Sequence, residues 1–249
     1  MIKIILKRGR EESLLRFHPW VFSGAIAEIQ GNPAEGDLVS VHASDGGILA
    51  YGHYQIGSIA VRVLSFEREA IDQAWWDARV AMAKGVREAL GMTESVATTC
   101  YRLIHGEGDM LPGLVIDIYE HTAVVQCHSV GMYLSRQNIT EAIRTAYGEA
   151  IEAIYDKSSQ TLPFKADLGQ ENGFILGGRA DNVAMENGLN FHVDWLKGQK
   201  TGFFVDQREN RHLLERYSKG RNVLNMFCYT GGFSFYAMRG GANLVHSVD

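Results

Sequence analysis

The residues best suited to chemistry lie near the end of the chain, where a glycine turn and an acid occur at a regular spacing. An apolar run at 223–227 leads through Gly231 into a helical pattern at 233–239, and a second apolar run at 244–248 ends at Asp249. A strand that enters a helix through a glycine turn presents backbone N–H groups at the carboxyl edge of a parallel sheet. An acid about twenty residues further on can accept hydrogen bonds from ribose hydroxyls. The pattern therefore predicts a ligand that contains a ribose.

The spacing of the glycines narrows the kind of ligand. A dinucleotide site prefers G-x-G-x-x-G, in which three glycines let a pyrophosphate pass. Here Tyr229 and Thr230 precede two adjacent glycines, and Phe233 follows them. This spacing suits a ligand without a pyrophosphate, such as S-adenosylmethionine. A βαβ unit with an ordinary glycine turn is the alternative that the pattern alone leaves open.

Two segments of the chain are locally basic, which is the charge that a contact with phosphate needs. Residues 197–221 hold seven Lys and Arg against three Asp and Glu, and a helical pattern there contains Arg208 and Arg211. The segment near the N-terminus contains Lys7, Arg8 and Arg10, with a histidine and a tryptophan close by. A solvated helix face and a solubilising surface are the alternatives, and the net charge of −5 does not decide between these readings.

The elements that must position these groups fall into three parts. Short β-branched runs separated by Gly and Asp over residues 1–73 predict a small β-barrel. Residues 69–90 predict one amphipathic helix. Its apolar positions are Ile71, Ala74, Trp75, Ala78, Met82, Val86 and Leu90. The next stretch mixes strands and helices, with a hairpin within 114–127 and a helix at 133–147, and a basic helix at 205–217 precedes the glycine turn.

The cysteines and the first residues of the chain indicate the cellular compartment. The chain has three cysteines, Cys100, Cys127 and Cys228, without paired spacing, which argues against a disulfide framework or a zinc site. The glycines at 106 and 108 favour a turn over a metal site at 105–109. The start turns charged too soon for a signal peptide, and no apolar run approaches the roughly 18 residues of a membrane span. We expect a cytoplasmic protein without a metal or a membrane partner.

Several motifs together resemble one enzyme family. They are residues 16–24, 101–109, 111–114, 198–211 and 225–233. In this order they closely resemble the S-adenosylmethionine-dependent methyltransferases that form 5-methylcytosine in large-subunit ribosomal RNA. The resemblance implies a multi-domain α/β protein. Its parts would be a PUA-like RNA-binding β-barrel at 1–73, a linker helix and α+β middle domain at 74–190, and the start of a Rossmann-like methyltransferase domain at 191–249.

The same resemblance implies site residues and partners. The residues that would bind S-adenosylmethionine are Phe203, Asp206, Gln207, Asn225, Phe227, Tyr229, Thr230, Gly231 and Asp249. Those that would contact RNA are Lys7, Arg8, Arg10, Arg208 and Arg211. Large-subunit ribosomal RNA is the expected partner, and a homodimer remains open.

The sequence also departs from the family pattern. Enzymes that make 5-methylcytosine add a cysteine thiolate to ring carbon six, and in this family that cysteine lies later in the domain. No cysteine here matches it, so no catalytic residue is nominated. The family's methyltransferase domain also has further strands after the acid, so the chain is expected to be a truncated form that binds the cofactor weakly or not at all and does not methylate RNA. A non-catalytic RNA-binding protein is the alternative, and a nucleotide-dependent oxidoreductase is disfavoured because G-x-G-x-x-G is missing.

Overall fold

The N-terminal part is a mixed six-stranded sheet. The computed structural model describes residues 1–163, 168–169, 171–178 and 182–249. The elements of this part are β1 (Ile2–Leu6), α1 (Glu12–Leu15), β2 (Trp20–Phe22), β3 (Ile26–Gln30), β4 (Leu38–His42), β5 (Ile48–Tyr54) and β6 (Ile59–Ser65). The strand order is β2-β6-β5-β4-β1-β3, with β1 parallel to β4 and the other pairs antiparallel. Alternating apolar residues such as Ile4, Leu6, Val39 and Val41 fill its core.

The helix α2 (Gln73–Ala89) connects this sheet to the next part. It begins where the Asp72 side chain accepts a hydrogen bond from the Trp75 backbone N–H at 3.1 Å. Its buried side holds Trp75, Trp76, Val80, Ala83 and Arg87. The apolar side expected from the sequence is wrong along most of the helix. Of its seven positions only Trp75 is buried, Ala74 and Ala78 are exposed, and Met82, Val86 and Leu90 are 61%, 49% and 63% exposed. Two apolar columns compete on this helix, and the one that continues from Trp76 through Val80 and Ala83 packs against the middle sheet.

The middle part is a five-stranded sheet with helices on one face. Its elements are β7 (Cys100–His105), β8 (Leu114–Tyr119), β9 (Thr122–Cys127), α3 (Val130–Leu134), α4 (Arg136–Tyr147), β10 (Ala153–Asp156) and β11 (Gly173–Leu176). The strand order is β11-β10-β9-β8-β7. The predicted hairpin is confirmed, since β8 and β9 pair through Tyr119 and Thr122. The helix predicted at 133–147 is instead two helices, a short one whose N-terminus Ser129 caps and a longer one that begins after Ser135.

The C-terminal part packs against the opposite face of the middle sheet. Its elements are β12 (Val183–Glu186), β13 (Leu189–His192), α5 (Arg208–Tyr217), β14 (Asn222–Met226), α6 (Gly232–Arg239) and β15 (Leu244–Val248). Strands β14 and β15 are parallel, as the glycine-turn pattern predicted, and α5 packs on α6. Tyr119 and Tyr155 of the middle sheet share one core with Trp195, Phe203 and Tyr236. The predicted domain boundary at 190/191 falls inside β13.

The two-stranded sheet of the C-terminal part leaves apolar side chains uncovered. Leu224, Met226 and Leu244 are 62%, 51% and 58% exposed. Among the described residues, no helix combines the length and apolar character that crossing a membrane requires.

Candidate functional site

The loop between β14 and α6, residues 227–231, has an unusual backbone. Phe227, Tyr229 and Gly231 have φ angles of 59°, 48° and 73°, so left-handed residues alternate along it. The left-handed region is unfavourable for residues with a side chain, and such strain concentrates at ligand sites. The loop is fixed by the Cys228 N–H, which donates to the Val248 carbonyl at 3.1 Å, and by the Gly231 N–H, which donates to the Cys228 carbonyl at 2.7 Å. The sequence therefore predicted a glycine turn correctly, and the structure shows that it is strained.

A second segment, residues 198–204, faces this loop, and we call it the strap. Gly202 has a φ of 118°, and a Cβ there would lie 2.9 Å from the backbone nitrogen of Trp195. A Cβ on Gly198 would lie 2.3 Å from the Asp194 carbonyl oxygen. The two glycines therefore let the strap press against the chain that follows β13.

Tyr229 ties the strap, the loop and the terminal acid together. Its hydroxyl accepts a hydrogen bond from the Gln199 backbone N–H at 3.0 Å and donates one to the Gly202 carbonyl at 3.1 Å. Its backbone N–H donates to Asp249 Oδ1 at 3.0 Å. Its ring meets Phe204 edge to face, with ring centroids 5.5 Å apart. The sequence placed Tyr229 and Asp249 in one site, and the structure brings them into direct contact.

Between the strap and the loop lies a cavity of about 270 Å³. Its lining residues are Phe203, Phe204, Gln207, Arg211, Phe227, Cys228, Tyr229, Thr230, Gly232 and Phe233. Five of the nine predicted cofactor residues are among them, namely Phe203, Gln207, Phe227, Tyr229 and Thr230. Pockets for small ligands start at about 300 Å³ and are mostly apolar with a few polar groups. This cavity is near that size and combines aromatic rings with backbone groups of the loop.

The other predicted cofactor residues have different positions. Asp206 is exposed and faces a larger cavity of about 470 Å³ on the other side of the chain, which Arg102 and His105 also line. The Asn225 amide donates to the Ser234 hydroxyl at 2.8 Å, and that hydroxyl contacts the Ser247 hydroxyl at 2.7 Å. Asn225 therefore joins β14 to α6 and β15. Gly231 is the residue that precedes α6, and the Asp249 carboxylate accepts a hydrogen bond from the Tyr229 N–H of the loop.

The two arginines predicted to contact RNA from α5 point into the protein. Arg211 is 2% exposed, and its Nε and Nη2 donate to the two carboxylate oxygens of Glu186 at 2.7 Å each. Arg208 lies 3.4 Å from the same carboxylate and donates to the Cys100 carbonyl. Arg211 is therefore not accessible to RNA phosphate in this arrangement, whereas Arg208 is partly exposed and its contact with RNA stays a prediction. The physical reason is that Glu186 on β12 is fully buried and attracts both guanidinium groups.

Glu186 is a buried neighbour of the cavity wall that the sequence did not reveal. It accepts a hydrogen bond from the Tyr236 hydroxyl at 3.0 Å, so it joins β12, α5 and α6 beneath the cavity. Arg211 in turn lies over the ring of Phe203 at 4.6 Å and forms part of the cavity wall. No local signal marks Glu186, because its partners lie 25 and 50 residues further along the chain.

The basic turn after β1 is placed as the sequence predicted, on the surface. Lys7, Arg8 and Arg10 are exposed, and Lys7 Nζ donates to the Gly24 carbonyl at 2.9 Å. Beside them, the rings of His18, Trp20 and Phe22 form a cluster with centroid distances of 5.6 to 6.3 Å. Phe22 is 48% exposed. Cationic side chains next to accessible aromatic rings are the groups that bind phosphate and unstacked bases.

The turn at residues 105–109 joins two parts of the protein. It is a 3-10 turn over Gly106–Asp109, as its glycines predicted. The Glu107 carboxylate accepts a hydrogen bond from Trp20 Nε1 at 2.8 Å, and Asp109 pairs with Arg87 of α2. Among the described residues, no group of three or more His, Cys, Asp or Glu is arranged to hold a metal ion. The acids of this turn therefore contribute to the contact between the N-terminal sheet and the middle part.

The cysteines differ in their surroundings. Cys100 and Cys127 are 1% and 0% exposed, and burial raises the pKa of each thiol to about 12. Thiols of this kind stay protonated at neutral pH and are poor nucleophiles. Cys228 lines the cavity between the strap and the loop.

Comparison with known proteins agrees with this layout. Residues 4–66 match the PUA-like domain family, and residues 176–249 match a family described as S-adenosylmethionine-dependent methyltransferase. The ribosomal RNA large subunit methyltransferase I of Aeromonas hydrophila is 43% identical over 251 residues, which is 99% of this chain and 62% of that protein. The protein of the same name from Shewanella amazonensis is 41% identical, over 100% of this chain and 63% of its own length.

Two solved structures are also similar to this chain. "A putative sam-dependent methyltransferase from Streptococcus mutans" superimposes with a TM-score of 0.83 at 25% identity, covering 100% of this chain and 63% of that one. A second structure of this kind, complexed with SAH, gives a TM-score of 0.84 at 25% identity over the same shares. The chain thus combines a PUA-like domain with a methyltransferase-like fold and spans about 62% of the length of the curated relatives it matches. The match at 176–249 confirms S-adenosylmethionine as the predicted cofactor.

Proposed function

We propose that this chain binds S-adenosylmethionine between the strap and the loop and serves the methylation of large-subunit ribosomal RNA. The observation that carries the proposal is the cavity of about 270 Å³, since residues from both sequence motifs, Phe203 and Gln207 on one side and Tyr229 and Thr230 on the other, line it together. The relatives named as large-subunit methyltransferases match the chain along its whole length. We assign Asp249 to the ribose hydroxyls, because it lies at the carboxyl end of β15 next to the loop.

We also propose carbon five of a cytosine as the methyl acceptor, on the strength of the family motifs. That reaction needs a cysteine thiolate that adds to ring carbon six. Cys100 and Cys127 are buried with raised pKa values, and Cys228 is part of the cofactor cavity wall. This chain by itself therefore supplies no activated thiol at an RNA-facing surface, and we expect it to bind cofactor and RNA without completing the transfer.

Calorimetry tests the cofactor site. Titration of the 249-residue chain with S-adenosylmethionine, S-adenosylhomocysteine and NAD should give heat for the first two and none for NAD. The binding should be weak, because β14 and β15 leave the loop on a sheet with an exposed face. Heat with NAD alone, or with none of the three, would refute the assignment of the cavity.

A separate experiment addresses the RNA partner. Replacing Lys7, Arg8 and Arg10 with Gln should weaken binding to a large-subunit ribosomal RNA fragment. The slope of log affinity against log salt concentration should also become shallower, by the amount that corresponds to up to about three phosphate contacts. The matched control removes three exposed charges outside both basic segments, at Arg68, Arg144 and Arg239. If both variants lose affinity equally, net charge and not the basic turn governs binding. Transfer of labelled methyl groups to the RNA by this chain alone would contradict the argument from the cysteines.

A non-catalytic RNA-binding protein is the second candidate. The cluster of the exposed His18 and Phe22 with the partly exposed Trp20 favours it, because this surface does not depend on the cofactor cavity. RNA binding that is intact in the absence of any response to S-adenosylmethionine would decide for this candidate.

A further inference from the structure

The strap that forms one wall of the cofactor cavity is held mainly by the middle sheet. Thr201 is fully buried, and its hydroxyl donates to Asp117 Oδ2 at 2.6 Å. Asp117 lies on β8, is also fully buried, and receives two hydrogen bonds from Arg102 on β7, at 2.8 and 2.9 Å. A carboxylate paired in this way has a fixed position, because moving it would leave a buried charge without its partner.

Tyr119 adds a second connection from the same strand. Its hydroxyl lies 2.9 Å from Thr201 Oγ1 and 3.3 Å from the Phe203 carbonyl oxygen. Since Thr201 uses its own proton for Asp117, Tyr119 is the donor in either contact. Burial raises the pKa of Tyr119 well above its ordinary value, so this donor keeps its proton at any physiological pH. Residues 201 and 203 of the strap are therefore fixed by adjacent groups of β8.

The same strap is connected to the glycine loop. The Tyr229 hydroxyl contacts the backbone at 199 and 202, and the Tyr229 N–H is bonded to Asp249. Hydrogen bonds, with the strap backbone and Tyr229 between them, thus connect Asp117 to the terminal acid. Phe203 and Phe204, which line the cavity, belong to the strap.

We propose that Asp117 is a positioning residue for the cofactor site and acts through the hydroxyl of Thr201. The middle sheet is then part of the cofactor site and more than a spacer between an RNA-binding and a cofactor-binding part. The proposal rests on the proposed function, because the ligand of the cavity is taken to be S-adenosylmethionine. No side chain of the middle sheet needs to touch the ligand for this role.

The test removes only the hydroxyl that connects the two parts. Thr201→Val keeps the shape of the side chain, and loss of one hydrogen bond to a buried carboxylate should weaken S-adenosylmethionine binding about tenfold. Thr201→Ser, which restores the hydroxyl, should bring the affinity back to within about twofold. Thr122→Val on β9 is the matched control, because Thr122 is fully buried in the same sheet and its hydroxyl has no hydrogen-bond partner. It should leave the affinity unchanged even if the melting temperature moves.

A second readout separates this proposal from the proposed function. Amide hydrogen exchange without any ligand should be faster in the Thr201→Val chain over residues 198–204 and also over residues 227–231, and should be unchanged there in the Thr122→Val chain. If the wild-type chain does not bind S-adenosylmethionine but exchange changes in both segments, the cofactor assignment fails and the positioning role stands. If exchange in residues 227–231 is unchanged, or if Thr201→Ser does not restore what Thr201→Val loses, the positioning role is overturned.

Discussion

Replacing Glu186 with Gln removes one buried negative charge that faces two buried arginines. The carboxylate is fully buried and receives both Arg211 hydrogen bonds at 2.7 Å, a third from Tyr236 at 3.0 Å, and the Arg208 guanidinium at 3.4 Å. A Gln amide keeps one acceptor oxygen, so one Arg211 bond is lost and both guanidinium groups face a neutral partner. Breaking a buried ion pair on one side costs about 3 to 5 kcal/mol of unfolding free energy.

Urea unfolding at pH 7.5, followed by tryptophan fluorescence, measures this loss, because Trp195 lies in the same core. The matched control is Glu215→Gln, in which the carboxylate pairs with Arg239 but both side chains are partly exposed, at 18% and 31%. A partly exposed pair is worth about 1 kcal/mol or less. Glu186→Leu combined with Arg211→Met should be less destabilising than Glu186→Leu alone, because the second change removes a charge left unpaired. Equal, small losses for Glu186→Gln and Glu215→Gln would refute the reasoning, and so would an Arg211→Met chain that keeps its stability and loses RNA binding.

Two further predictions follow from buried titratable groups. His53 is packed against Gly131, and burial lowers its pKa to about 4, so the unfolded chain binds a proton near pH 6.5 while the folded one does not. Its stabilising contribution is complete above pH 6.5 and is lost as the pH falls towards 4. The wild-type chain should lose about 2 kcal/mol from this group between pH 7.5 and 5 in urea unfolding. A His53→Leu chain should lack this pH-dependent loss of unfolding free energy. A His246→Leu chain, which changes an exposed histidine, should show it as the wild type does. Identical pH profiles of stability for the two variants would contradict the assignment of the loss to His53. Ellman's reagent at pH 7.5 should label one thiol per folded chain quickly, Cys228, and the buried Cys100 and Cys127 only after unfolding; fast labelling that survives Cys228→Ser would contradict the burial argument.

The local elements of the C-terminal part were predictable because their signals are short-range. Strand β15 was predicted with the bounds it has, and α6 differs by one residue at its start. Glycines, caps and apolar periodicity act within a few residues, so the sequence carries them directly. The exposed basic turn after β1 was also predictable from local sequence, since charged side chains around a glycine favour a turn in contact with water.

Tertiary packing decided which side of each helix is buried and which groups its side chains contact. On α2 the sequence offered two apolar columns, and the middle sheet selected the one with Trp76 and Val80, leaving Met82 in solvent. On α5 a helix rich in charges gave no sign that Arg208 and Arg211 face inward, because Glu186, the group that attracts them, lies on a hairpin more than twenty residues away.

By itself, the sequence determined that a glycine turn, a terminal acid and a basic turn would exist, and in which order. Only the tertiary structure decided that the strap meets the loop through the Tyr229 hydroxyl and that Asp117 of the middle sheet holds the strap in place. The physical reason is the range of the interactions. Backbone conformation is set by neighbours along the chain, whereas a buried hydrogen bond between residues 84 positions apart exists only after both surfaces have lost their water.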